Sequence, residues 1–143
     1  MKNLNTFILI ILISAAVSCG GHKGYSDVKL FINEVAAAQD EFLSLAEKSA
    51  NAEDMIYAVN GFGDKLVHLS EKSVEIKKKY PDVEKWVIDS PAELKSEMEK
   101  LHETESRFEK VFFNENLKNI IKDQKVQIAI IELSKKMGSV KFF

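Results

Sequence analysis

The chain has 143 residues, 45% of them hydrophobic and 29% charged, and a formal net charge of −2. One domain with a single core fits that length, and 20 basic against 22 acidic residues leave no positive field for nucleic-acid binding. Two prolines and six glycines exclude a turn-rich all-β chain, and one cysteine excludes an intramolecular disulfide or a cysteine zinc site.

The first element is Phe7–Ile13 (FILIILI), an unbroken apolar run that continues to Val17 behind a start carrying Lys2. Leu4 to Val17 is 14 residues, short of the ~20 needed to cross a hydrocarbon core. A signal-peptide core fits better than a transmembrane helix. Ala16-Val17-Ser18-Cys19 then places the only cysteine at the end of this stretch.

Residues 1–19 resemble a bacterial lipoprotein signal peptide with its lipobox, although Ala16 stands where leucine is usual. The resemblance implies diacylglyceryl transfer to the Cys19 thiol, cleavage before Cys19, and acylation of the new amino terminus. Residues 1–18 are then a removed signal. Residues 19–25 are a lipidated cysteine and flexible tether, and 26–143 are one domain. Gly20 after the cysteine, in place of aspartate, makes the outer membrane the expected destination. Two or more acyl chains hold a protein on a lipid surface, at about 0.8 kcal/mol per buried methylene.

The mature chain carries the helical period almost throughout. Val28, Phe31, Val35, Ala38, Phe42 and Leu45 recur at three- and four-residue steps. They predict a helix from about Asp27 to Ser49 with Ser26 as its N-cap. Asn51 is the expected cap of a second helix, whose seam is Met55, Val59, Phe62, Leu66, Leu69, Ser73, Ile76 and Tyr80. Lys77, Lys78 and Lys79 suit its negative end, and Pro81 stops it. Gly61 and Gly63 flank Phe62. The seam on both sides favours one continuous helix with a close crossing or kink; a break into two shorter helices is the alternative.

Residues 81–90 connect the halves, with Val83, Trp86 and Val87 expected as a lid over one end of a bundle. Ser90-Pro91-Ala92-Glu93 has the form of a capping box with proline at the first helical position. Leu94, Met98, Leu101, Phe108 and Phe112 form the third seam. Glu105 fills the slot between them and is expected to pair with Lys65, Lys72 or Ser73.

A last helix begins near Asn114 or Asn116 and has two apolar faces. Leu117, Ile120, Ile121, Ile128 and Ile131 share one, and Val126, Ile130, Leu133 and Met137 the other. Val140, Phe142 and Phe143 keep the carboxyl end apolar. The two phenylalanines either pack back on the bundle or mark a partner or membrane contact.

Together these elements predict an all-α fold, an antiparallel up-down bundle of four helices, or of three if the last two fuse. No nucleophile elbow, catalytic triad or metalloprotease helix is present, so no catalytic residue, metal site or cofactor is expected beyond the lipid on Cys19. His22 lies in the tether, His68 on a helix flank, and His102 about 100° from its seam. The leading expectation is a lipid-anchored, non-catalytic binding module of the cell envelope. Its contact residues are expected among Val126, Ile130, Leu133, Met137, Phe142 and Phe143. One alternative is a small-ligand or haem-binding bundle with a pocket at Phe62, Met98 and His102. The other is a structural spacer that self-associates through the Val126–Met137 face.

Overall fold

Residues 25–83, 86 and 90–139 are described in the computed structural model, and every regular element among them is helical. Cys19, Val87, Phe142 and Phe143 lie outside the described residues. In chain order the elements are α1 (Ser26–Lys48), α2 (Ala52–Lys79), a 3-10 turn (Ala92–Leu94), α3 (Lys95–Phe112), the short α4 (Glu115–Ile121) and α5 (Gln124–Ser139).

Helix ends follow local hydrogen bonding. Asn51 caps α2 as expected: its Oδ1 accepts from the Asp54 N–H at 3.0 Å, and Asp54 Oδ2 accepts in return from the Ala50 N–H. Ser26 is not a cap. It lies inside α1, and Asp27 Oδ1 takes the Val28 N–H at 3.0 Å instead. The expected box at Ser90–Glu93 opens a 3-10 turn rather than the α-helix, with Pro91 in the cap position and no side-chain cap there.

Helix α2 runs unbroken through both glycines. Its seven leading seam residues, Met55 to Ile76, are all buried, Ser73 included. In α1 the buried set also takes in Ile32, Gln39, Leu43 and Ala46, while Phe31 and Leu45 are only half-buried. The arc is wide because α1 packs against two helices.

Cross-helix ion pairs and one lysine–asparagine hydrogen bond fix the directions. Glu41–Lys65, Glu34–Lys72 and Asp27–Lys79 run α1 against α2, antiparallel. Lys29–Glu97 at 3.8 Å, Lys100–Asn33 at 3.0 Å and Arg107 with Asp40 and Glu47 set α3 beside α1, parallel to it. Glu53–Lys125 at 3.3 Å and Asp64–Lys136 at 3.1 Å set α5 beside α2, again parallel. The long helices thus alternate in direction along the chain, as an up-down bundle requires, and the main packing order is α3–α1–α2–α5.

The connection after α2 therefore crosses the amino-terminal end of α1. Val83 and Trp86 are buried in it, and the Trp86 ring meets Tyr25 edge-on with centroids 4.9 Å apart. At the core, Phe42 stacks on Phe62 at 4.8 Å and lies 5.6 Å from Phe108 and 6.1 Å from Phe112. Such aromatic pairs add about 0.5–1.5 kcal/mol each beyond their burial.

The last two segments do not fuse, and the expected last helix is itself two. Asn114 ends the turn after α3 and caps α4, its Oδ1 accepting from the Asn116 N–H at 2.9 Å. Asp123 Oδ1 accepts from the Lys125 N–H at 2.8 Å, and the Gln127 amide donates back to the Ile121 carbonyl. These local bonds satisfy backbone groups that a break would otherwise leave open.

Candidate interaction surface

Phe62, Met98 and His102 sit in three different settings. Phe62 is buried on α2 with its ring against Phe42, and Met98 is half-buried on α3. His102 faces solvent with Nδ1 3.1 Å from Glu105 Oε2, because it lies about 100° from the buried stripe of α3. That contact also replaces the expected pairing of Glu105. Lys65 and Lys72 are engaged by Glu41 and Glu34, and the Ser73 hydroxyl donates to the Ser70 carbonyl at 2.8 Å. Among the described residues no group of three or more histidines, cysteines or carboxylates is placed to hold a metal ion.

A groove of about 270 Å³ lies elsewhere, between the amino-terminal half of α1 and the carboxyl-terminal half of α2. Leu30, Phe31 and Ile76 line it, and the Asp27–Lys79 and Glu34–Lys72 pairs bridge the two helices there. Burial pushes the Asp27 carboxyl up. Hydrogen bonds from Lys79, the Tyr80 hydroxyl at 2.9 Å and backbone N–H groups outweigh it and leave the carboxyl below its ordinary range. Tyr80 is pushed up by burial and by the Asp27 charge, and Lys79 by its hydrogen bond to Asp27. All three groups have partners, so this end of the bundle is an electrostatic clasp.

A second clasp joins α1 to α3. Arg107, the only arginine in the sequence, forks onto Glu47 through Nε at 3.1 Å and Nη2 at 2.6 Å. It also reaches Ser44 Oγ at 3.1 Å and the Asp40 carboxylate. The Arg107 hydrogen bond holds Glu47 below its usual range, and Glu47 in turn pushes Arg107 up.

The expected contact face of α5 is turned inward. Val126, Ala129 and Met137 are buried, and Ile130 and Leu133 are half-buried against the same core. The stripe Val126–Met137 thus packs against the bundle's own core. What α5 leaves outside is Ile128 and Ile131, 49% and 50% exposed. On α2, Tyr57 is 71% exposed. It shares the outer stripe of α2 with Glu53 and Asp64, four residues after one and seven before the other.

Ile128 and Ile131, one turn apart, are thus exposed large apolar side chains of α5, and Tyr57 is one of α2. Three further ones, Leu30, Val74 and Phe113, are scattered over other parts of the bundle. Leu133 of α5 packs close over Gly63 of α2, where a Cβ would stand 3.0 Å from Leu133 Cδ1. Sequence periodicity marked Ile128 and Ile131 as one of two apolar faces but gave no basis for choosing the outer one. Tyr57 carried no signal of its own, since one aromatic on a polar stripe is common on exposed helices. No protein-family model, curated protein or solved structure matches this chain.

Proposed function

We propose that this chain is a lipid-anchored, non-catalytic interaction module of the bacterial envelope. The observation that carries the reading is the exposed apolar pair Ile128 and Ile131, one turn apart on the outer side of α5. Exposed apolar groups clustered inside a polar rim are the usual mark of a contact site. The lipobox-like Ser18-Cys19 supplies the anchor in this reading. From Cys19 to Tyr25 the chain reaches about 20 Å at most, at ~3.3–3.6 Å per residue. The Tyr25–Tyr80–Trp86 end of the bundle then stands beside the lipid. Helix α1, about 35 Å long at 1.5 Å per residue, carries the α1–α2 turn away from it.

Membrane fractionation tests the anchor, and crosslinking in the native envelope tests the contact. The wild type is expected in the membrane fraction and Cys19→Ala in the soluble fraction. Crosslinked species are expected to diminish when Ile128 and Ile131 become aspartate. Equal membrane retention of wild type and Cys19→Ala would remove the anchoring, and crosslinking unchanged by the aspartates would remove the surface.

A further inference from the structure

The groove between α1 and α2 lies at the end of the bundle where the tether enters. Its lining runs from Asp27 to Glu34 on α1, about 10 Å of helix, and from Lys72 to Lys79 on α2. Leu30, which is 60% exposed, Phe31 and Ile76 supply the apolar strip. The Asp27–Lys79 and Glu34–Lys72 pairs close it off at its two ends. Glu75 is the remaining charge, so two lysines stand against three carboxylates and the lining is net negative.

That lining selects its occupant. Lys72 donates to both Glu34 oxygens at 2.7 Å, and Lys79 donates to Asp27. A phosphate or the carboxylate of a free fatty acid would meet net negative charge and two lysines already engaged, which repels it. The apolar strip favours hydrocarbon instead. A volume of about 270 Å³ is at the small end for a ligand site, so it suits a narrow chain better than a ring system. Hydrocarbon without a charged head is what an acylated Cys19 carries, since its chains are joined through amide and ester groups.

The tether length agrees. Cys19 to Tyr25 reaches about 20 Å at most, and Leu30 stands four residues, about 6 Å, along the helix from Ser26. A chain on Cys19 therefore meets the groove within its own molecule, where a short flexible linker gives an effective concentration on the order of millimolar.

We infer that the α1–α2 groove shelters an acyl chain of the same molecule's Cys19 while the protein is away from a membrane. The inference rests on the anchoring proposed above and assigns that anchor a second resting place. A bilayer immerses every chain completely, whereas the groove covers part of one, so lipid draws the chain out again.

The full lipidated chain, made in cells fed a diazirine-bearing fatty acid and exchanged into detergent-free buffer, provides the test. After irradiation, mass spectrometry maps where the acyl chain has inserted. Insertion is expected within one chain, in residues 27–34 and 72–79. Leu30→Asp is expected to lower it about tenfold, the effect of losing one apolar contact of leucine size. Circular dichroism of Leu30→Asp keeps the helical signal of the wild type, because the side chain is exposed. Ile128→Asp, on α5, leaves the insertion unchanged. Adding phosphatidylethanolamine–phosphatidylglycerol vesicles abolishes it without any substitution.

Insertion spread over the whole bundle, insertion that joins two chains, or insertion that survives both Leu30→Asp and the vesicles would overturn the sheltering. Equal labelling of the groove in Cys19→Ala by the free diazirine fatty acid assigns it to free lipid and overturns the same-molecule occupant. A wild type that carries the label but shows no groove insertion sinks this inference and leaves the anchoring standing. A wild type that takes up no more label than Cys19→Ala sinks the anchoring and the inference with it.

Discussion

Gly63 of α2 lies directly against Leu133 of α5: a Cβ at Gly63 would stand 3.0 Å from Leu133 Cδ1. Two residues earlier, a Cβ at Gly61 meets nothing within 4 Å. One glycine therefore sets a helix approach, and the other only weakens its helix.

The two glycines respond oppositely to substitution. Gly61→Ala is expected to raise stability by up to about 1 kcal/mol, the helix-propensity difference. Gly63→Val is expected to lower it by about 1–3 kcal/mol, because extra volume has to push α5 away from α2. Combining Gly63→Val with Leu133→Ala should cost less than the sum of the single changes. Urea unfolding of the four variants, read as a double-mutant cycle for the 63–133 pair, checks all of this.

Gln39 is buried in α1 at 2% exposure, and among the described residues its Oε1 has no hydrogen-bond partner. A buried acceptor left unsatisfied costs about 1–3 kcal/mol, and an apolar side chain of similar shape avoids that cost. Gln39→Met is expected to raise the urea midpoint with an unchanged slope. A lower midpoint would mean that the amide holds the core together in a way its oxygen alone does not reveal.

Arg107 ties α3 to α1 through a fork that lysine cannot reproduce. Arg107→Ala is expected to cost about 1 kcal/mol, at the upper end for exposed pairs because two carboxylates and a serine share the guanidinium. Arg107→Lys should recover only part of it. Repeating the melts in 1 M salt should shrink the Arg107→Ala difference, since the clasp is partly exposed and open to screening.

Acid sensitivity follows from Asp27 and Glu47, both held below their ordinary range. A carboxylate with a lowered folded pKa adds stability above its unfolded value, near ~4, and loses that contribution as pH falls through the folded value. Stability is therefore expected to drop between about pH 4.5 and pH 2, and Asp27→Asn should flatten part of that drop. On the alkaline side the raised Lys79 and Tyr80 reverse the sign, so the same clasp weakens as pH climbs above about 10. Thermal melts of wild type and Asp27→Asn across this range provide the measurement.

The helices themselves were legible in the sequence. The Met55–Ile76 seam appears in the structure residue for residue, because a helix buried along one face repeats its apolar residues at its own period. Asn51 was legible too, since its cap is a bond to a backbone group three residues away. The break at Lys122-Asp123 was missed. It is marked by the Gln127 amide reaching the Ile121 carbonyl and by Asp123 Oδ1 accepting from the Lys125 N–H, contacts that apolar periodicity does not encode. The settings of Met98 and His102 were not legible for a related reason. Met98 and His102 are four apart on one helix, but their spacing could not say which side of it the other helices occupy.

By itself, then, the sequence determined the helical class and most of the buried seams, both of which are local patterns of residue type and spacing. Only the tertiary structure decided that α3 lies beside α1 and α5 beside α2, each pair parallel. That arrangement also chose between the two apolar faces of α5. A helix with two such faces gains about equally from burying either one, and the neighbour that arrives settles which is covered. Here Gly63 lets α2 come close on the Val126–Met137 side, and Ile128 and Ile131 are left facing outward.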